Sequence, residues 1–462
     1  MIGGDLVAVY KIECRLGTDK PLILLPKQLY AQVKDESLNK VQIKYGQKKI
    51  NANVKTSPND HIIVSKNITE KLYLPQSIGL HVIASQGRVV FGPIVGIMTT
   101  APPYKGSHFQ FQIGKKRRVF FSRFIEIAAK RNMTLFLFTP NCIDWQKRAV
   151  YGLTYLPQGQ GSWIRKWYPL PDAVWNRVPH RGAEVRADVL RTKQLFKTVT
   201  NVLVSPDDYF YKWEMHEVLT REGTIASHLP ETIQYRGVES LYQMLRKHPE
   251  VFIKVCSGSH GHGVIKFQKP DKNIVYSYHQ KSGRLSRGTV FNRGELERFI
   301  MKATQKKTSV VQQGLQLAEF EHRPYDLRAT VQKDIKGEWQ VVGLSAKIAG
   351  NKGVTTHVCN GGRVVPGNWL LKKLYKDGGT KLDEVNEFAI KVAKASERAS
   401  GWMLGELGMD IAIDKRGHLW LFEVNTKPGR IVFAPEWAAK ERHASYKMLV
   451  DYMQHLSGFG DV

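Results

Sequence analysis

The stretch Gly408-Met409-Asp410-Ile411-Ala412-Ile413-Asp414-Lys415-Arg416-Gly417-His418-Leu419-Trp420-Leu421-Phe422-Glu423-Val424-Asn425-Thr426-Lys427-Pro428-Gly429-Arg430 decides how this chain reads. Two apolar runs flank a short polar turn, the pattern of a β-hairpin. Strand side chains alternate faces, so Leu419, Leu421, Glu423 and Asn425 are expected on one face. With Asp414 paired to Gly417, Asp410 falls opposite Leu421 and diagonal to Glu423. Two carboxylates and an amide oxygen then converge where a strand ordinarily carries Leu or Val. Like charges side by side are costly unless a cation lies between them. All-oxygen ligation by so few groups suits Mg²⁺, which keeps waters and takes phosphate oxygens. The competing reading is a solvated hairpin with an acidic outer face.

The totals narrow the setting. At 462 residues the chain is too long for one ordinary core. Its composition is globular, with 42% hydrophobic and 24% charged residues. No apolar run reaches the length of a membrane span, and Met1-Ile2-Gly3-Gly4-Asp5 lacks the form of a signal peptide. The expectation is a soluble, cytoplasmic protein. Cys14, Cys142, Cys256 and Cys359 form no CxxC pair, which points to reduced thiols. The net charge of +28, from 69 basic and 41 acidic residues, favours acidic partners. The basic residues are dispersed and no nucleic-acid motif accompanies them, so no specific nucleic acid is expected.

Residues 1–87 read as short strands with recurrent turns, a small β-rich, barrel-like domain. Leu24-Leu25-Pro26 and Leu72-Tyr73-Leu74-Pro75 mark two similar half-units. Residues 88–205 alternate strand, helix and strand, as in a small parallel α/β unit. Its last strand is expected at Ala173-Val174-Trp175-Asn176-Arg177-Val178-Pro179, with Asn176 and Arg177 at its end. Residues 206–462 mix α and β, starting with a helix expected to be N-capped after Ser205-Pro206-Asp207-Asp208 and to hold Lys212 in its opening turns.

Three further motifs carry chemistry. In Phe252-Ile253-Lys254-Val255-Cys256-Ser257-Gly258-Ser259-His260-Gly261-His262-Gly263 a strand presents Lys254 before a Gly-rich loop. Glycines at 258, 261 and 263 let backbone N–H groups approach phosphate oxygens, and Lys254 supplies a point charge. A Gly-rich hairpin without ligand has the same signature, and no Walker pattern follows. Next, Val310-Val311-Gln312-Gln313-Gly314-Leu315 suits a hinge that reads a base edge with backbone groups. Then Asp326-Leu327-Arg328 puts Asp326 and Arg328 on one strand face, where Arg328 can clamp a phosphate or acyl phosphate. A surface ion pair is the alternative. Lys347 and Asn360-Gly361-Gly362 follow.

Taken in order, these motifs resemble the ATP-grasp superfamily over about residues 205–450. D-x-R and E-V-N-x-x-P-G are similar to ribosomal-protein glutamate ligases. Asn176-Arg177, Lys212-Trp213-Glu214-Met215, Leu229-Pro230-Glu231-Thr232 and Phe422-Glu423-Val424-Asn425-Thr426-Lys427-Pro428-Gly429 look like the YheC/YheD endospore coat-associated family. The resemblance implies an ATP-grasp fold, α/β and α+β, with an α/β pre-ATP-grasp domain behind the N-terminal barrel. It implies that ATP phosphates meet Lys212, Lys254 and the loop of Gly258, Ser259, Gly261 and Gly263. Gln312, Gln313 and Leu315 would hold adenine, and Asp410, Glu423 and Asn425 would hold Mg²⁺. Arg328 and Lys347 would steady the transferred phosphoryl. His357, where the glutamate ligases tend to carry Asn, and the added segment Gln316 to His322 depart from their pattern.

The implied activity is ATP-dependent activation of a carboxylate as an acyl phosphate, then amide formation with an amine. Arg165, Lys166, Arg177, Arg181, Arg186 and Arg191 point to an acidic peptide or anionic polymer as substrate, with a solvated basic face as the alternative. Two other classes stay open: a non-catalytic ATP-binding protein of the spore coat, and a kinase-like phosphotransferase.

Overall fold

Pro93 lies where the apolar run Val89–Met98 changes sheets. In the computed structural model, β7 (Arg88–Gly92) completes one sheet and β8 (Ile94–Met98) is central in the next. The structure describes all residues except 1–6, 19, 35–39, 76–77, 103–109, 158–160, 198–202, 259–262, 270–272, 281, 283, 351–355, 357–360 and 461–462. The chain forms two units: residues 1–207 with 333–338 and 446–462, and residues 208–332 with 339–445.

In the first unit, β1 (Val7–Leu16), β2 (Leu22–Leu25), β3 (Lys40–Tyr45), β4 (Lys48–Thr56), β5 (Ile62–Ser65), β6 (Ile78–Ser85) and β7 form a closed barrel in the order β1-β5-β2-β4-β3-β7-β6. A strand–strand–helix–strand pattern occurs twice, with helices Lys27–Val33 and Lys66–Leu72. β1 runs parallel to β5, and β2 parallel to β4, the equivalent pair in the repeat. The motifs expected to mark the two halves are not equivalent: Pro26 precedes its helix, whereas Pro75 follows one. The barrel includes β7, which the reading from sequence gave to the following segment.

β8, β9 (Thr134–Phe138), β13 (Ala173–Asn176) and β14 (Leu203–Ser205) are parallel, with helix Lys115–Lys130 crossing from β8 to β9. β10 (Ile143–Asp144), β11 (Ala149–Leu156) and β12 (Ser162–Pro169) extend that sheet antiparallel. Barrel and α/β sheet share one core. Tyr45 Oη donates to Thr134 Oγ1 at 2.9 Å, and Lys44 lies 3.3 Å from Asp172, whose carboxyl burial pushes up to about 6.

The second unit holds two sheets. One has the order β15-β20-β16-β17-β18-β19: β15 (Thr232–Gln234), β16 (Glu250–Val255), β17 (Val264–Gln268), β18 (Ile274–His279), β19 (Leu285–Val290) and β20 (Ser309–Gln313). Helices Val238–Lys247 and Arg293–Thr304 contribute Leu241, Met244, Leu296 and Ile300 to its core. The other has the order β24-β23-β22-β25-β26, with β21 (Glu319–Phe320) paired to β22 (Arg323–Lys333). Its remaining strands are β23 (Trp339–Ile348), β24 (Arg363–Pro366), β25 (Glu406–Ile413) and β26 (Leu419–Asn425). Helix Gly378–Ser400 covers this sheet. Asp377 caps its start by accepting from the Thr380 N–H, and Gly401 ends it at φ +64°. Val385, Phe388, Ala389, Val392 and Ala393 are spaced to bury one stripe against the sheet. The segment 316–322 is a hairpin entry: Glu321 and His322 have φ of 53° and 58°, the two-residue turn that joins β21 to β22.

In the α/β sheet, a Cβ on Gly152 would meet Phe136 Cδ2 at 2.4 Å, beneath the Phe136–Tyr168 stack. Gly152→Val is expected to lower the unfolding free energy by about 1–3 kcal/mol, measured by urea denaturation; unchanged stability would refute this packing account.

Candidate active site

Strand alternation divides the β22–β26 sheet into a dry face and a charged one. Leu327, Ala329, Met409, Ile411, Ala346 and Ile348 enter the core beneath helix Gly378–Ser400. The residues between them, Asp326, Arg328, Lys347 and Asp410, take the other face. Arg328 pairs across with Asp410, and Asp410 with Glu423.

The hairpin differs from its expected register in two respects. Asp414 N–H donates to His418 O, not to Gly417, and Asp414 Oδ1 accepts from the N–H groups of Arg416 and His418. The loop is therefore one residue longer. A bulge then leaves Phe422 unpaired, because Ile411 faces Leu421 while Asp410 faces Glu423. Asp410 and Glu423 are direct neighbours, not diagonal ones. The bulge also reverses the alternation: Val424 joins Leu419 and Leu421 in the core, and Glu423 and Asn425 turn to the charged face. The expectation that Leu419, Leu421, Glu423 and Asn425 share a face fails for this reason.

Side chains supply the counter-charge. Arg328 Nε and Nη2 donate to Asp410 Oδ1 and Oδ2 at 2.7 and 3.0 Å, and Lys347 Nζ to Asp410 Oδ1 at 2.9 Å. Lys347 also lies 3.1 Å from Asp326 Oδ1, while Thr356 Oγ1 donates to Asp326 Oδ2 at 2.6 Å. Burial alone would raise the Asp410 carboxyl, but Arg328 and Lys347 outweigh it and hold the group well below the usual carboxylate range. Burial dominates at Asp326 and pushes its carboxyl up. A Cβ on Gly408 would meet Pro428 Cβ at 2.6 Å and Arg328 Nη1 at 2.8 Å, so glycine leaves the space the guanidinium uses.

Lys212 is the first residue of helix Lys212–Thr220, whose N-cap is Tyr211 with no side-chain cap; the expected capping by the preceding Ser and Asp residues is absent. A cation there opposes the helix dipole. Its ammonium donates to Glu423 Oε1 and Gly258 O, each at 2.9 Å. Thus the convergence of carboxylates, taken from sequence to require a metal, is balanced here by Arg328, Lys347 and Lys212.

The donor set still fits a hard cation. Asp410 and Glu423 are opposite each other, and Asn425 follows Glu423 on the same face. Asp326, buried on the same face, has Lys347 Nζ 3.1 Å from its Oδ1. Among the described residues no group of three or more His, Cys, Asp and Glu side chains could hold a metal ion. A cation would therefore take two carboxylates and an amide oxygen, with water or phosphate completing the shell, as Mg²⁺ does.

Beside this face lies a pocket with Phe210, Met215, Leu219 and Phe422 as apolar wall and Lys212, Lys254, Gln312 and Glu423 as polar groups. Lys254, on β16, donates to Gln312 Oε1 at 2.5 Å, and its ammonium lies 5.0 Å from the Phe422 ring centre. Burial and then Lys212 push its proton affinity down to about 8.

The segment expected to form a base-reading hinge ends β20. β20 lies between β15 and β16; the N–H of Gln313 donates to Glu231 O, and that of Gly314 to Glu250 O. The Gln313 side chain accepts from the Glu231 N–H at 3.1 Å. Gln312 lines the pocket; Gln313 and Leu315 are absent from its lining. Gly263 has φ +73°, and a Cβ there would meet Val255 Cγ2 at 2.7 Å. Ser259, Gly261, His260, His262, His357 and Asn360 lie outside the described residues. Sequence reasoning missed Thr232, Phe422, Met215 and Phe210 as pocket residues; the motif Leu229-Pro230-Glu231-Thr232 was the one signal for the first.

A model of the YheC/D like ATP-grasp family matches residues 201–456. The chain belongs to this family. Its fold from β15 to β26 is thus the ATP-grasp fold. The endospore coat-associated protein YheD of Bacillus subtilis is 27% identical over 380 residues, covering 81% of each chain. YheC of the same organism is 28% identical over 298 residues, covering 63% of this chain and 80% of its own. Among solved structures, D-alanyl-alanine synthetase A from Vibrio cholerae aligns over 80% of this chain and 98% of its own, at 11% identity and a TM-score of 0.44. No helix among the described residues of this YheC/D-like chain is long and apolar enough to cross a membrane.

Removing the shared anion should unbalance the charged face. Asp410→Asn is expected to cost about 3–5 kcal/mol at neutral pH, by urea denaturation. Because the folded carboxyl binds protons less readily than the unfolded one, this stabilisation is present above about pH 4 and is lost as pH falls further. The difference between wild type and variant should therefore shrink on acidification; a gap that widens would contradict the assignment.

Proposed function

We propose that this protein is an ATP-dependent carboxylate–amine ligase. The observation that carries the reading is the opposition of Asp410 and Glu423 across β25 and β26, with Arg328 and Lys347 on the same face beside the Lys212 and Lys254 pocket. Asp410, Glu423 and Asn425 are the residues to hold Mg²⁺, whose chemistry when bound is neutralisation of β- and γ-phosphate charge. Lys212 and Lys254 bind the polyphosphate, and the apolar wall takes the base. Arg328 and Lys347 steady the phosphoryl group as it leaves ADP for a carboxylate oxygen. An amine then forms the C–N bond, with phosphate leaving and the amine losing a proton. The chain's part is positioning and charge compensation. The dispersed basic surface favours an acidic substrate, an acidic peptide before other anionic polymers.

One observation favours a second reading, a nucleotide-binding protein without turnover. Both carboxylates assigned to the cation are held by side-chain cations, Glu423 by Lys212 and Asp410 by Arg328 and Lys347. The names of the B. subtilis relatives make association with the spore coat the corresponding role.

ADP release from Mg·ATP, measured against amino acids, acidic peptides and cell-extract fractions, separates these readings. The expected result is acid- and amine-dependent ADP with an amide product, lost in Glu423→Gln. A phosphorylated product would indicate a kinase; Mg·ATP binding without turnover for any fraction would favour the second reading. Lys254 carries its charge only below about pH 8, so ATP affinity should fall as pH rises through that value. Calorimetry with Lys254→Arg, whose charge persists, should show the loss abolished; an identical pH profile in the variant would refute this role.

A further inference from the structure

Gln312 does not reach toward a base edge; its amide is spent within the protein. Oε1 accepts from Lys254 Nζ at 2.5 Å, and Nε2 donates to Thr232 Oγ1 at 3.0 Å. Thr232 Oγ1 in turn donates to Pro230 O at 2.8 Å. The order of donors is forced at each step. A hydroxyl has one proton, and the Pro230 carbonyl accepts it, so toward Gln312 the hydroxyl presents a lone pair. Only the NH₂ end of the amide can meet that lone pair, which turns the carbonyl end to Lys254. The flipped amide would set NH₂ against an ammonium, donor against donor. Thr232 and Gln312 are buried, at 9% and 7% exposure, so water does not readily substitute for either partner.

Backbone geometry reinforces the relay. Thr232 pairs with Gln312 across β15 and β20, and Phe252 pairs with Gln312 on the other side. The Thr232–Gln312 distance is thus fixed by the β15–β20 ladder, while the long Lys254 side chain is the flexible member that the amide restrains. Its ammonium is drawn toward Phe422, the bulged residue next to Glu423.

We propose that Thr232 is a positioning residue: by fixing the orientation of the Gln312 amide, it holds the Lys254 ammonium in the lining of the pocket beside Phe422. The relay accounts for two residues of Leu229-Pro230-Glu231-Thr232, since Pro230 supplies the terminal acceptor and Thr232 the oriented hydroxyl. The part of the proposal concerning nucleotide rests on the ATP-binding reading above; the restraint on Lys254 does not.

The test compares wild type with Thr232→Val, Thr232→Ser and Gln312→Met as full-length proteins. The first readout is the rate of Lys254 acetylation by acetic anhydride in the nucleotide-free protein, followed by mass spectrometry. The second is calorimetric affinity for ATP and for adenosine, which lacks phosphates. Thr232→Val keeps the shape and removes the hydroxyl; it should raise the acetylation rate several-fold and weaken ATP about tenfold, the equivalent of one hydrogen bond to a charged group. Adenosine should weaken clearly less than ATP, Thr232→Ser should restore both readouts, and Gln312→Met should reproduce the Val variant. Gln312→Met decides the question where Thr232→Val does not fold. An acetylation rate unchanged in the folded variants overturns the proposal whatever the nucleotide result. Equal weakening of ATP and adenosine, or a Ser variant as impaired as the Val variant, also overturns it. Failure of wild type to bind ATP would defeat the functional reading alone, leaving the acetylation rates to decide the relay.

Discussion

The charged face depends on one buried carboxylate. Asp410 stands on β25, between β22 and β26, with both oxygens engaged by Arg328 and one also by Lys347. Removing charge from water costs several kcal/mol per ion, so such an anion persists only where the geometry of its partners is good. That demand reaches outward. Arg328 must lie flat over Gly408, because a Cβ there would touch its Nη1. Lys347 must be shared with Asp326, whose carboxyl burial pushes up despite that pairing, whereas at Asp410 the cations outweigh burial. On the reverse side, the same strands must present Leu327, Met409 and Ile411 to helix Gly378–Ser400. Strand phase is therefore constrained from both faces, and a slip of one residue would exchange core for charge.

The architecture was legible wherever a single periodicity ran unbroken. The β8–helix–β9 crossover and the D-x-R strand follow directly from their patterns. The misreadings occur where the period changes within an element. Leu421 and Val424 are both in the core though three residues apart, which uniform alternation forbids; the bulge at Phe422 resolves the conflict. In retrospect Phe422 and Val424 are the clue, since both are apolar around a glutamate. The continuous run Val89–Met98 concealed a change of sheet at Pro93, because both strands it feeds are buried and hydrophobicity does not distinguish their partners.

The site was legible as residue types and less so as roles. Lys212, Lys254, Arg328, Lys347, Asp410 and Glu423 do converge within the second unit. What the sequence did not convey was which groups satisfy one another. A carboxylate pair read in isolation asks for a metal, but Arg328 and Lys347 arrive from strands far away in sequence. Gln312 and Gln313, adjacent in a polar strand end, have unrelated roles, one amide holding Lys254 and the other holding the Glu231 N–H. Their separation follows from alternation, yet only the surrounding structure shows that the N–H groups of Gln313 and Gly314 are engaged by Glu231 O and Glu250 O.

The ion pairs at Asp410 and Glu423 do not of themselves oppose a bound cation. At an effective dielectric of about 20, unit charges 4 Å apart attract by roughly 4 kcal/mol, and a divalent ion doubles the attraction for each carboxylate. Displacing Lys212 from Glu423 costs its ion pair, but a polyphosphate in the adjoining pocket offers that ammonium new oxygen partners. On the proposed site assignment the exchange would be favourable only when cation and phosphates arrive together. A cation alone would strand Lys212 at a helix N-terminus, where its charge is disfavoured. Phosphates alone would approach Glu423 with no intervening positive charge once Lys212 had moved. If cation and nucleotide bind as proposed, the Lys212–Glu423 pair would make the two ligands mutually dependent, whether the bound complex is turned over or only held.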